Sequence, residues 1–155
     1  MENKISKLKK ILQEDEFRRA LFINHIAAGV EHNNLLRYLS DIKIRTIIDI
    51  GLDNMGINLD PANLILYGKA NPIDAVEIFG KYIRSIHGKD ALWPNRDEYL
   101  GKEVPVGDGI VNFPLLLRRL KNLGFNGPII IEREISGEKQ IQDIKRAIEF
   151  FSKII

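Results

Sequence analysis

Met55-Gly56-Ile57-Asn58-Leu59-Asp60-Pro61-Ala62-Asn63 is an apolar run that stops on a carboxylate and a proline. Two further runs have the same form, Ile83 to Ile86 ahead of His87 and Ile129 to Ile131 ahead of Glu132. Short, isoleucine-rich and closed by a polar residue, each reads as a buried strand of a parallel sheet. The intervals carry helical patterns with readable ends. Asn71-Pro72 opens one, Ile73, Val76 and Phe79 form its apolar stripe, and Gly80 closes it. Asn112, Pro114, Leu116, Leu117, Leu120 and Leu123 repeat that grammar up to Gly124, and Ile141, Ile144, Ile148 and Phe151 predict a last helix from Glu138 to Lys153. Helix alternating with strand predicts a parallel α/β fold, one domain over residues 1–155.

The first third is less regular. Ile5, Leu8, Ile11 and Leu12 predict an opening helix, Ala20 to Asn24 a strand, and Leu35 to Leu39 the centre of another helix. Ile42 to Ile50 fits a strand by alternation and a helix by length. Ala91 to Val111 reads as a long irregular loop of the kind that carries function.

Composition narrows the function classes. The 155 residues are 45% hydrophobic and 28% charged, which suits a globular domain with a core rather than a disordered chain. A net charge of +2, spread without a basic block, gives no footprint for nucleic acid. Cysteine is absent, so a metal would have to be held by His, Asp, Glu, Asn or water. The opening residues lack a signal-peptide core and no apolar stretch reaches the length of a membrane span, so the expectation is a cytoplasmic protein without a membrane partner.

Chemistry in parallel α/β proteins sits at the carboxyl ends of the strands. Here those ends carry Asp60, His87 and Glu132, with Lys89 and Asp90 just beyond His87. Two carboxylates and an imidazole are ligands for Mn²⁺, Mg²⁺, Co²⁺ or Zn²⁺. Each also has an ordinary reading. Asp before Pro is turn grammar, a single His is often structural, and Glu132 adjoins Arg133, a natural ion-pair partner. Their joint position at three successive strand ends favours a metal site. His25 and His32 read as surface residues.

Four segments in order, Gly56 to Leu64, Ile86-His87-Gly88-Lys89-Asp90, Gly101 to Gly109 and Gly127 to Glu134, resemble the xylose-isomerase-like TIM barrels of the sugar phosphate isomerase/epimerase type. The resemblance implies a divalent metal held by Glu, Asp, His and Glu at the ends of strands five to eight, with Asp60, His87 and Glu132 in the last three places. It implies proton transfer next to a carbonyl of a small sugar or sugar phosphate, with Glu132 as a catalytic acid or base and the metal polarising the carbonyl. Asn63 stands where many relatives carry a second histidine, and Lys89 and Asp90 stand where substrate contacts are common. The segment from Val106 to Ile110 is similar to a loop at the substrate mouth.

The sequence departs from this pattern twice. A whole barrel takes about 250 residues, so the chain resembles half a barrel, completed by a second copy or by a separate N-terminal half. At the first ligand position, near Phe22-Ile23-Asn24-His25, relatives often read Glu-Asn-His and this chain carries Ile23, with Glu31 the nearest carboxylate. An alternative is therefore a degenerate, inactive half-barrel that keeps metal or ligand binding or serves as a scaffold. A DNA-repair endonuclease of the same fold is disfavoured, because its multinuclear zinc site uses more histidines than the three present.

Overall fold

Three strands of a parallel sheet, each only a few residues long, organise the computed structural model, which describes residues 44, 45, 47–52, 55–95 and 99–155. The predicted opening helix, the strand at Ala20 to Asn24, the helix at Leu35 to Leu39, His25, His32 and the position of Ile23 lie outside the described residues. Residues 44, 45 and 47–50 are helical, which decides the ambiguous run in favour of a helix.

The element order is β1 (Ile57–Leu59), α1 (Pro61–Leu66), α2 (Pro72–Phe79), a 3-10 turn (Gly80–Tyr82), β2 (Ile83–Gly88), β3 (Asp90–Leu92), β4 (Lys102–Val104), α3 (Phe113–Asn122), β5 (Ile129–Ile131) and α4 (Glu138–Ser152). The sheet runs β1-β2-β5, all parallel, with Asn58 opposite Ser85 and His87 opposite Ile130. Helices return the chain between parallel neighbours, as such a sheet requires.

The helices start and stop where their polar residues predict. The Asn71 side chain accepts from the Ile73 amide at 2.9 Å, and Asn112 accepts from the Leu115 amide at 3.3 Å. Past α3, the Gly124 amide donates to the Lys121 carbonyl and Phe125 to that of Leu120, both at 3.0 Å, which satisfies carbonyls the helix leaves open. α1 is an element the sequence reading lacked; six residues opened by Pro61 are too short to display a periodic stripe.

Ile57, Leu59, Ile83 and Ile86 are buried in a core with Leu64, Ile65, Val76, Phe113, Leu116, Leu120 and Phe151. Phe113, Phe150 and Phe151 meet edge to face at centroid distances of 4.9 to 6.4 Å. A Cβ on Gly88 would stand 2.7 Å from the Phe151 ring, so glycine lets α4 close on the end of β2. Asn58, Ser85 and His87 are linked to one another by hydrogen bonds across β1 and β2.

The predicted loop from Ala91 to Val111 contains order of its own. β3 and β4 pair antiparallel, Asp90 opposite Val104 and Leu92 opposite Lys102, and project as a ribbon from the carboxyl end of β2. Each is three residues long, below the length at which alternation can be recognised.

Candidate metal centre

Asp60, His87 and Glu132 converge as their positions at the strand ends predict. Asp60 leaves β1 and caps α1, and its two oxygens divide the work. Oδ1 accepts the Asn63 amide at 2.9 Å, while Oδ2 faces His87 Nδ1 at 3.5 Å. One oxygen of this aspartate therefore serves the turn and the other is left facing the imidazole. Glu132 leaves β5 and brings Oε2 to 2.6 Å from the same imidazole nitrogen. Arg133 does not occupy it, because the guanidinium turns away to Glu103 at 2.7 Å and Asp143 at 2.8 Å.

One ligand atom from each of the three residues lies within 4.8 Å of the others, the one such cluster among the described residues. Ligands about 2.1 Å from a shared cation stand roughly 3 Å apart, the range these separations span. His87 Nδ1 is buried and makes no hydrogen bond; the Glu132 oxygen is near but off the axis of the ring nitrogen. A buried polar atom without a partner, aimed between two carboxylates, fits a divalent cation. Asp60, His87 and Glu132 would hold it.

The electrostatics of the site follow from this crowding. Asp60 beside the ring raises the His87 imidazole above its ordinary value, burial works against it, and Glu132 adds to the rise. Lys89, 1% exposed, places Nζ 3.8 Å from Asp60, 3.9 Å from Glu132 and 2.7 Å from Glu134. Burial pushes its ammonium down, but the hydrogen bond it donates to Glu134 and the charges of Asp60 and Glu132 outweigh this and raise it. The lysine thus supplies a fixed positive charge at the rim of the cluster.

Asp90, next in sequence, faces elsewhere. Its buried carboxylate accepts four backbone amides, from Ala91, Gly107, Gly109 and Val111, at 2.9 to 3.2 Å. Those bonds fold the 105–111 turn against β3, and a Cβ on Gly109 would lie 2.0 Å from the Asp90 Oδ1. Asp108, at the tip, pairs with Arg146 of α4. Asn63 lies in the first turn of α1, half-buried, with its backbone amide given to Asp60.

Asn58, Ser85 and Glu134 are the neighbours that sequence reading missed. Asn58 Nδ2 lies 2.8 Å from His87 Nε2, and the Ser85 hydroxyl donates to Asn58 Oδ1 at 2.8 Å. A signal existed for two of them: Asn58 and Ser85 are polar residues among apolar ones in their strands, and Ser85 shares the alternation of His87.

The comparisons with known proteins agree with this fold. A family model described as xylose isomerase-like TIM barrel matches residues 26–154. Among crystal structures, a xylose isomerase domain protein from Planctomyces limnophilus is 30% identical with a TM-score of 0.68, over 98% of this chain and 66% of that one. D-psicose 3-epimerase from Clostridium cellulolyticum H10, solved with D-tagatose, is 13% identical with a TM-score of 0.62, over 99% of this chain and 55% of that one. The IOLI protein, solved with a zinc atom, is 18% identical with a TM-score of 0.56, over 97% and 70%. The last two share the fold. No curated protein matches. The chain spans less than two thirds of the first two structures, and its parallel β/α sheet corresponds to part of a barrel. By the family match and by this architecture, the chain belongs to the xylose isomerase-like TIM barrel family.

Proposed function

We propose that this protein is a divalent-metal-dependent isomerase or epimerase of a small sugar or sugar phosphate, working by proton transfer next to a carbonyl. One observation carries the reading: Asp60, His87 and Glu132, from three strand ends, meet around an imidazole nitrogen that has no hydrogen-bond partner. A cation there would polarise the substrate carbonyl and its neighbouring hydroxyl. Glu132, half-buried and at the rim, moves the proton at the carbon beside that carbonyl. The Lys89 ammonium faces the substrate oxygens, and Asn63 borders them from α1. Asp90 serves by holding the 105–111 turn, since both its oxygens are engaged. A second copy or a separate N-terminal segment completes the barrel.

The test is proton exchange. Metal-loaded protein incubated with ketose and ketose phosphates in D₂O should place deuterium at the carbon next to the carbonyl, and Glu132→Gln should lose about 10²-fold or more of that rate. Absence of exchange from every sugar, with metal bound, contradicts an active enzyme. That outcome belongs to a second reading, an inactive member that keeps metal or ligand binding. Ile23 favours it, standing where the resemblance implies the first glutamate.

A further inference from the structure

We propose that Arg133 is a positioning residue: gripped by Glu103 of β4 and Asp143 of α4, it fixes the chain where Glu132 leaves β5 and so holds the Glu132 carboxylate in the metal cluster. The proposal rests on the reading of Asp60, His87 and Glu132 as a metal site, and it begins from what anchors the exit of the strand. β5 ends at Ile131, and residues 132–137 belong to no helix or strand. The Glu132 amide donates to the Gly88 carbonyl at 3.3 Å, longer than most such bonds. Side chains alternate along an extended exit. Glu132 meets His87 and Lys89, and Glu134 meets Lys89, while Arg133 between them turns to Glu103 and Asp143.

Four bonds converge on residues 133 and 134. Arg133 Nη1 donates to Glu103 Oε1 at 2.7 Å and Nε to Asp143 Oδ2 at 2.8 Å. The same Glu103 oxygen accepts the Glu134 amide at 3.0 Å, and Gln140 Nε2 donates to the Arg133 carbonyl at 2.9 Å. The ribbon and the last helix therefore hold this segment from two sides. The side chains of Arg133 and Asp143 are 9% exposed and that of Glu103 13%, so water competes weakly for these charge-assisted bonds. Two carboxylates on different nitrogens of one cation need the planar fork of arginine; an ammonium on a shorter stem satisfies one at a time. Removing the charge altogether would leave two shielded carboxylates without their shared cation.

The experiment compares the full chain with Arg133→Lys, which keeps the positive charge, and with Arg146→Lys, the same change on α4 at an arginine that pairs with Asp108. Circular dichroism establishes that each is folded. Calorimetry should find Mn²⁺ bound about 10-fold or more weakly by Arg133→Lys and within about twofold of wild type by Arg146→Lys. Glu103→Gln, which leaves the Asp143 bond in place, should lose affinity in the same direction by less, and it serves where Arg133→Lys does not fold. Without metal, amide hydrogen exchange in Arg133→Lys should quicken at Glu132 and Glu134 and keep the wild-type rate at Ile86 within β2. Equal Mn²⁺ affinity in the folded variants at positions 133 and 103 and in wild type overturns the proposal. An equal loss in Arg146→Lys also overturns it, since a general loosening of α4 would produce that result. If the wild type binds no Mn²⁺, the metal reading falls; faster exchange confined to Glu132 and Glu134 then still supports Arg133 as the residue that fixes Glu132, and unchanged exchange there overturns it.

Discussion

His87 sits between two carboxylates that favour its protonated form, and this has opposite consequences for stability and for metal binding. Because its folded value is raised above the unfolded value near 6.5, its contribution to stability is complete below that pH and fades as pH rises through the folded value. A cation competes with the same proton. Affinity for Mn²⁺ should therefore climb with pH across this interval while metal-free stability declines, and parallel titrations and thermal melts at several pH values check both. An affinity that falls with rising pH contradicts the assignment of Nδ1 as a ligand atom. Asp60, His87 and Glu132 were legible in sequence because each follows an apolar run. Lys89 and Asp90 are adjacent in sequence, and adjacent residues of an extended chain point apart: one faces the cluster and the other the turn.

Between the sheet and the ribbon, Asp90 is the residue on which the most backbone converges. Substituting Asn there turns one oxygen into an NH₂, and whichever it is, two backbone amides lose their acceptor in a buried site. Asp90→Asn should cost about 3 kcal/mol and Gly109→Ala a comparable amount, read from denaturant unfolding, with faster amide exchange at Gly107, Gly109 and Val111. A variant with wild-type stability would mean that the turn holds without this carboxylate. Elements with chemical punctuation were readable: Asn71, Asn112 and Gly124 mark the ends of α2 and α3, and isoleucine runs mark β1, β2 and β5. β3 and β4 were not, since their pairing depends on a long-range bond network centred on Asp90 rather than on any local pattern.

At the scale of the whole molecule, the sheet is a segment of a barrel. Among the described residues β5 pairs on one side only, with β2, and Ile130 on its inner face is 44% exposed. A cleft of about 840 Å³ lined by Leu117, Phe125, Ile129, Ile131 and Ile148 lies on the helical side of β5, and Asp60, His87 and Glu132 are not among its lining residues. Among the same residues no helix is long and apolar enough to cross a membrane. Open strand edges and apolar surface favour association. Under the proposed reading, light scattering should give a mass of at least twice 17.7 kDa; a sharp monomer with a cooperative melt at low concentration contradicts closure by self-association. Family membership was visible in four ordered segments, whereas the closing of the barrel involves surfaces that no local motif encodes.

The central claim is that Asp60, His87 and Glu132 form a divalent metal site, and calorimetric titration of metal-free protein with Mn²⁺, beside His87→Ala, tests it most directly. The account predicts one saturable site per chain in the wild type and its loss in His87→Ala, with the far-ultraviolet circular dichroism unchanged. No binding by the wild type, or the same affinity in the variant, would contradict it.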